Sequence, residues 1–254
     1  MSTEGSQAGV RAGRLDGRVV IVTGAAGGFG VPLCDMLERE GATVVGVDRE
    51  GDGVLHADVG SEAGNRSMVE TALERHGRLD GLVLNAGVQY LAPIDEHDEA
   101  QWDRLHDVMV KGPFLAIRAA WPALTRAPGG RVVVTASGSS FLGEAYKAAY
   151  VAAKHGVLGL MKVAALEGAP LGLTANAVAP AWMRTPMVER QLEDQMRLHG
   201  KTREEVVMGM VERHPVDRFV EPEEVAHAVA FLLGPEASGI NGVCLPVDLG
   251  TLVG

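Results

Sequence analysis

Short apolar runs rich in valine and other β-branched residues recur along the chain at 18–23, 43–48, 54–58, 79–84, 131–135, 173–178 and 242–247. Continuous apolar runs of this length suit strands buried on both faces, as in a parallel sheet. Between them the spacing of apolar positions lengthens to that of a helix, and 31–40, 98–124, 148–160 and 223–233 read as helices. Within 98–124, Trp102, Leu105, Met109 and Phe114 are expected to face the core. Strands alternating with helices predict an α/β fold: a single-domain, doubly wound parallel sheet with helices on both faces. Only residues 49–53 separate the second and third runs, too few for a helical crossover, so a bare loop joins them or the third strand is stunted.

Residues 185–214 are polar, methionine-rich and helical in character, longer than a plain connection requires, and a lid over about 183–214 is expected. Residues 1–14 have the composition of a flexible arm, without the apolar stretch of a signal peptide, leaving 15–254 as the domain.

The chemistry gathers at one edge of the expected sheet. Thr23, Asp48, Asn85, Ser137 and Pro180 all fall at the C-terminal ends of strands, where doubly wound sheets bind ligands. Gly24, Gly28 and Gly30 lie between the first strand and the first helix, a context in which glycine lets the backbone approach a pyrophosphate at a helix N-terminus. A tight turn with no ligand would use the same glycines. Asp48 can accept hydrogen bonds from ribose hydroxyls and repels a 2′-phosphate, favouring NAD over NADP, although Arg49 next door offsets part of that repulsion. Asn85-Ala86-Gly87 closes the fourth strand with small residues beside the cofactor. Tyr150 and Lys154 are four apart on one helical face, so an ammonium is placed to lower the phenol pKa from its ordinary ~10. Ser137 can hydrogen-bond an oxygen that Tyr150 protonates or deprotonates. An exposed Tyr–Lys pair and an ordinary loop serine would show the same letters.

Net charge changes the range of partners. With 23 basic and 33 acidic residues the chain carries −10, which argues against nucleic acid and anionic membranes. No apolar run is expected to span a bilayer. Cys34 and Cys244 have no metal-ligand spacing and are expected as buried thiols in a reducing cytoplasm, with no metal site.

Together, Thr23-Gly24-x-x-x-Gly28-x-Gly30, Asp58, Asn85-Ala86-Gly87, Ser137, Tyr150-x-x-x-Lys154, Asn176 and Thr185 resemble the short-chain dehydrogenase/reductase family over residues 15–250. The resemblance implies a Rossmann-like domain, a homotetramer, and alcohol oxidation or ketone reduction with a nicotinamide cofactor. It makes Tyr150 the acid/base, has Ser137 position the substrate oxygen, and has Lys154 hold the nicotinamide ribose. It adds Phe29, Asp58, Val59, Pro180 and Thr185 to the cofactor contacts. Segments 85–94, 147–156 and 182–191 are similar to the D-3-hydroxybutyrate dehydrogenases within that family. This narrower likeness implies that Gln89, Lys147 and Gln191 bind a substrate carboxylate beneath Trp182. Ser139 stands where those enzymes have a histidine, Ala181 where a glycine is usual, and Met109 where an asparagine supports a proton relay. The expectation is an NAD-dependent dehydrogenase of a hydroxy acid such as 3-hydroxybutyrate. Two alternatives stay open: a dehydrogenase of neutral cyclic or secondary alcohols, and a cofactor-binding protein with weakened catalysis.

Overall fold

The structure, a computed structural model, describes residues 13–126 and 128–253. Most of the arm expected at 1–14 lies outside the described residues. Its last part is docked: Leu15 N–H donates to the Glu40 carbonyl at 2.8 Å, and Arg14 Nε donates to the Glu40 carboxylate at 2.9 Å.

Each of the seven apolar runs forms a strand: β1 (Val19–Thr23), β2 (Thr43–Asp48), β3 (Leu55–His56), β4 (Gly81–Leu84), β5 (Arg131–Thr135), β6 (Thr174–Pro180) and β7 (Cys244–Val247). All pair in parallel, in the order β3-β2-β1-β4-β5-β6-β7. The winding reverses between β1 and β4, and a crevice opens above their C-terminal ends. Thr23 ties that point together. Its Oγ1 accepts from the N–H groups of Asn85 (3.0 Å) and Ala86 (3.1 Å) and donates to the Val83 carbonyl (3.3 Å). Strand β3 is indeed stunted, two residues long, because no helix lies between β2 and β3 to set a longer register.

Side chains alternate across the sheet, and each face has its own helices. Val20, Val22, Val83, Val133 and Val178 pack on α1 (Gly30–Arg39) and α8 (Pro222–Leu233), through Leu33, Leu37, Val225 and Val229. Ile21, Leu82, Leu84, Val132 and Val134 pack on α2 (Glu62–His76), α4 (Gly112–Leu124) and α5 (Ala148–Gly168), through Met68, Ile117, Leu124, Val157 and Met161. Each such side chain, removed from water, contributes about 1.5–3 kcal/mol before the entropy of ordering it is subtracted.

The helices differ from the sequence expectation in three places. Helix α2 is not announced by an apolar stripe, and even its buried side includes Asn65. Its ends carry it, with Ser61 accepting from the Gly64 N–H at the start and Gly77 at φ +72° closing it. The long pattern over 98–124 is broken into α3 (Glu99–His106), a π-helical turn at Asp107–Lys111, and α4. Leu105 and Met109 are buried as expected, but Trp102 and Phe114 are not core residues, being 39 % and 47 % exposed. Phe114 lies five residues past Met109, which a regular helix turns through roughly 140°, and Trp102 instead stacks on His106 with ring centroids 4.4 Å apart. The third difference is length. Ala148–Leu171 is long and apolar enough to cross a bilayer, contrary to expectation. Its buried face, Ala149, Ala153, Val157 and Met161, accounts for that composition by packing inside the protein.

The stretch expected as a lid consists of helices α6 (Pro186–His199) and α7 (Arg203–Val211), with a small core of its own made by Leu192, Val206, Met210 and Phe219. Cys34 and Cys244 are free and half-buried rather than fully buried, and burial pushes their thiols up to about 12 and about 11. Among the described residues no His, Cys, Asp or Glu cluster is suited to a metal.

Candidate active site

All the residues singled out for cofactor, chemistry and substrate line one cleft above the C-terminal ends of the strands. At the β1–α1 turn, Gly24 has φ +69°, and a Cβ there would lie 2.9 Å from the Ala86 Cα, so only glycine fits against the end of β4. A Cβ on Gly30 would overlap the Gly24 carbonyl. Gly28 lines the cleft and carries a packing role besides: a Cβ there would collide with Pro186, so this glycine lets the start of α6 approach the turn. Asp48 accepts from the N–H groups of Ala26 (3.1 Å) and Arg49 (2.7 Å), which fixes its carboxylate at the rim of the cleft. Asp58 is held by the Gly60 N–H at 2.9 Å and, with Val59, Phe29, Pro180 and Thr185, completes the wall. A narrow glycine turn at a helix start with a carboxylate across from it fits the pyrophosphate and ribose of a dinucleotide.

Ser137 follows β5 in extended backbone, and its Oγ accepts from the Ser139 N–H at 3.1 Å. Tyr150 and Lys154 stand one turn apart on α5. Lys154 is buried, with Nζ donating to the Thr135 carbonyl at 2.6 Å and lying 5.6 Å from the Tyr150 ring centroid. Burial pushes the Tyr150 phenol up to about 12, opposed by a hydrogen bond with Ser137 and reinforced by the Glu144 charge. The expected depression by Lys154 is therefore not what this geometry gives. Burial also pulls the Lys154 ammonium down to about 8.

At the far end of the cleft Lys147 is 3 % exposed. Its Nζ donates to Glu144 Oε1 at 2.7 Å and sits 4.1 Å from a ring centroid of Trp182. Burial lowers the Lys147 pKa, Glu144 opposes that, and Arg213 adds to it. Ser139 Oγ donates to the other oxygen of Glu144 at 2.9 Å. Gln191 lies on α6 with Nε2 donating to the Met187 carbonyl at 3.2 Å. Gln89 turns its Oε1 back to the Tyr90 N–H at 3.1 Å. Met109 does not line the cleft. It packs behind Tyr150 with Leu105, Ala149 and Ala153.

A family model described as "Enoyl-(Acyl carrier protein) reductase" matches residues 23–251. The chain belongs to the short-chain dehydrogenase/reductase family. It is similar to an uncharacterized oxidoreductase of Bacillus subtilis (36 % identical, covering 92 % of this chain and 97 % of that one). It is also similar to the D-β-hydroxybutyrate dehydrogenase of Rhizobium meliloti (34 % identical, 92 % and 98 %). Among solved structures, ligand-free aldohexose dehydrogenase of Thermoplasma acidophilum superposes with a TM-score of 0.88 at 33 % identity, covering 94 % of this chain and 96 % of that one. As a short-chain dehydrogenase/reductase the protein is an oxidoreductase of CH–OH groups, acting on secondary alcohols or ketones with a nicotinamide cofactor.

The cleft residues of this short-chain dehydrogenase/reductase that the sequence left unmarked include the charged Glu144, Arg190, Arg213 and Asp248. Glu144 stands three residues before Lys147, a spacing that suits an ion pair and was the available signal. Nothing local in the sequence marks Arg213, which reaches the cleft only because the chain returns there after α7.

Proposed function

We propose that the protein is an NAD-dependent dehydrogenase of hydroxy acids, with Tyr150 as acid/base, Ser137 positioning the reacting oxygen and Lys154 holding the ribose. Asp48, fixed at the rim by two backbone N–H groups, supports NAD over NADP. Gly24, Gly30, Asp48, Asn85 and Lys154 would hold the cofactor, and the nicotinamide, when bound, supplies the hydride acceptor or donor. In oxidation, Ser137 Oγ donates to the substrate oxygen while Tyr150 takes the hydroxyl proton; in reduction Tyr150 returns it. The observation that carries the hydroxy-acid reading is the buried ammonium of Lys147 in the same cleft as Tyr150, with the exposed Arg190 and Arg213 also lining it. A substrate carboxylate there gains charge-assisted hydrogen bonds of roughly 1.5–3 kcal/mol each.

The test is catalytic efficiency with NAD and NADP, on matched hydroxy acids and their neutral amides or esters. Lys147→Ala should lower efficiency on the acid by one to two orders of magnitude, by the same hydrogen-bond energies, and affect the neutral analogue much less. Equal losses on both would remove the carboxylate from the reading. The Lys147–Glu144 pair favours a second reading, a neutral sugar or alcohol substrate, because Lys147 already has an anionic partner. The tetramer implied by the family needs an apolar face, and exposed Phe114, Val163 and Leu166 on α4 and α5 offer one.

A further inference from the structure

We propose that Glu144 is a specificity-determining residue, which selects hydroxy acids carrying a second hydroxyl group over simple ones such as 3-hydroxybutyrate. The inference rests on the hydroxy-acid reading and narrows its substrate class to polyhydroxylated acids. Glu144 is held in the substrate end of the cleft by Lys147 Nζ on Oε1 (2.7 Å) and Ser139 Oγ on Oε2 (2.9 Å). A carboxylate offers about four acceptor sites, so two donors leave capacity for more.

Gln191 makes the same demand independently. It is 7 % exposed, and its Oε1 is buried with no partner. Donation from Nε2 to the Met187 carbonyl fixes the amide orientation, so the oxygen cannot be exchanged for the donor end. In this orientation Gln191 holds an unmet buried acceptor beside the cleft, which a carboxylate cannot serve and a hydroxyl can. An unpaired buried acceptor is unfavourable, so a ligand that supplies a donor is preferred over one that presents a methyl.

The cations keep the substrate an acid. Lys147, Arg190 and Arg213 against Glu144 and Asp248 leave the cleft residues beyond the cofactor end with a net positive charge even with the Lys147–Glu144 pair formed. A neutral polyol satisfies the acceptors and leaves the cations unmet. Either hydroxy acid meets the cations and brings its carboxylate near Glu144, but a simple one leaves Gln191 unpaired and gives Glu144 no donor. A hydroxy acid with a further hydroxyl satisfies both sets.

The experiment compares 3-hydroxybutyrate with 3,4-dihydroxybutyrate, which differ by one hydroxyl. Catalytic efficiency with NAD would be measured for the unmodified protein, Glu144→Ser and Gln191→Leu. Dissociation constants from calorimetry on the NADH-loaded protein, where the alcohol is not oxidised, give a readout independent of turnover. The unmodified protein should prefer the dihydroxy acid at least tenfold in both measurements. Glu144→Ser should bring the ratio near one, because both acids then have Lys147 to themselves and only the dihydroxy acid loses a carboxylate acceptor for its extra hydroxyl. Gln191→Leu leaves the Lys147–Glu144 pair in place and should reduce the preference several-fold on its own, so the inference does not depend on one variant folding. A ratio near one in the unmodified protein, or one unchanged by both substitutions, overturns the role of Glu144 while leaving the hydroxy-acid reading standing. Turnover of neutral alcohols with neither acid used overturns both.

Discussion

Lys154 reaches past the Tyr150 ring to bond the end of β5: its Nζ donates to the Thr135 carbonyl at 2.6 Å. The buried ammonium satisfies a backbone acceptor there, and its pKa falls from 10.5 to about 8 by burial. A lowered amine pKa means that the folded protein disfavours the charged form. The penalty is full below about pH 8, where both folded and unfolded chains carry the proton, and it is relieved as pH rises from 8 to 10.5. Lys154→Met should therefore be more stable than the unmodified protein at pH 7, by roughly 1–3 kcal/mol after the lost Thr135 bond is counted, and should melt higher. The advantage should shrink toward pH 10, as followed by thermal melts across pH. A variant that is less stable at pH 7 would show that the ammonium stabilises the fold.

Burial pushes the Tyr150 phenol up to about 12, so as the proposed acid/base it holds little phenolate at neutral pH. Alcohol oxidation should accelerate steadily from pH 7 into the alkaline range, whereas ketone reduction, which uses the protonated phenol, should not. Because the Glu144 charge raises the phenol further, Glu144→Gln should shift the oxidation profile to lower pH. Tyr150→Phe should reduce turnover by about 10²–10⁴-fold and leave cofactor binding intact. An unshifted profile in Glu144→Gln would mean that Glu144 does not act on the phenol.

Asp48 receives the N–H groups of Ala26 and Arg49 at the rim of the cleft, and in the proposed function it also faces the cofactor's adenosine ribose. Asp48→Ala should relax discrimination against NADP, leaving Arg49 to favour the extra phosphate, and should also loosen the glycine turn. The ratio of NAD to NADP affinities, measured by fluorescence quenching, should fall by at least tenfold. Equal affinity for both cofactors in the unmodified protein would contradict this account.

Met109 is 2 % exposed, in the π-helical turn against Ala149 and Ala153. Met109→Asn would place an amide in this apolar contact, where an unpaired polar group costs roughly 1–3 kcal/mol. For a domain of this size that is a fall of about 2–12 °C in Tm. Scanning calorimetry checks it. An unchanged Tm accompanied by faster turnover would show that the amide finds a partner and restores a proton relay.

The central strands β1, β4, β5 and β6 were legible from the sequence because a parallel sheet buries both their faces, which makes them nearly continuous apolar runs. Asp48, Asn85 and Ser137 followed from that, since strand ends locate the ligand edge of a doubly wound sheet. The helices were less legible where their inner faces were poor in apolar residues, as in α2, or where a π turn shifted the register, as before Phe114. The reach of Lys154 to Thr135, the capture of Lys147 by Glu144 and the arrival of Arg213 depended on how α5, α6 and the segment after α7 come together around one cleft. The direction of the Tyr150 shift belongs to the same class. Spacing put an ammonium one turn away, which favours a lower phenol pKa, but only the packed structure shows how little water the phenol keeps. Apolar periodicity is a local property that the sequence carries directly. Side-chain pairing and desolvation are sums over neighbours distant in the chain, and they exist only once the fold has brought those neighbours together.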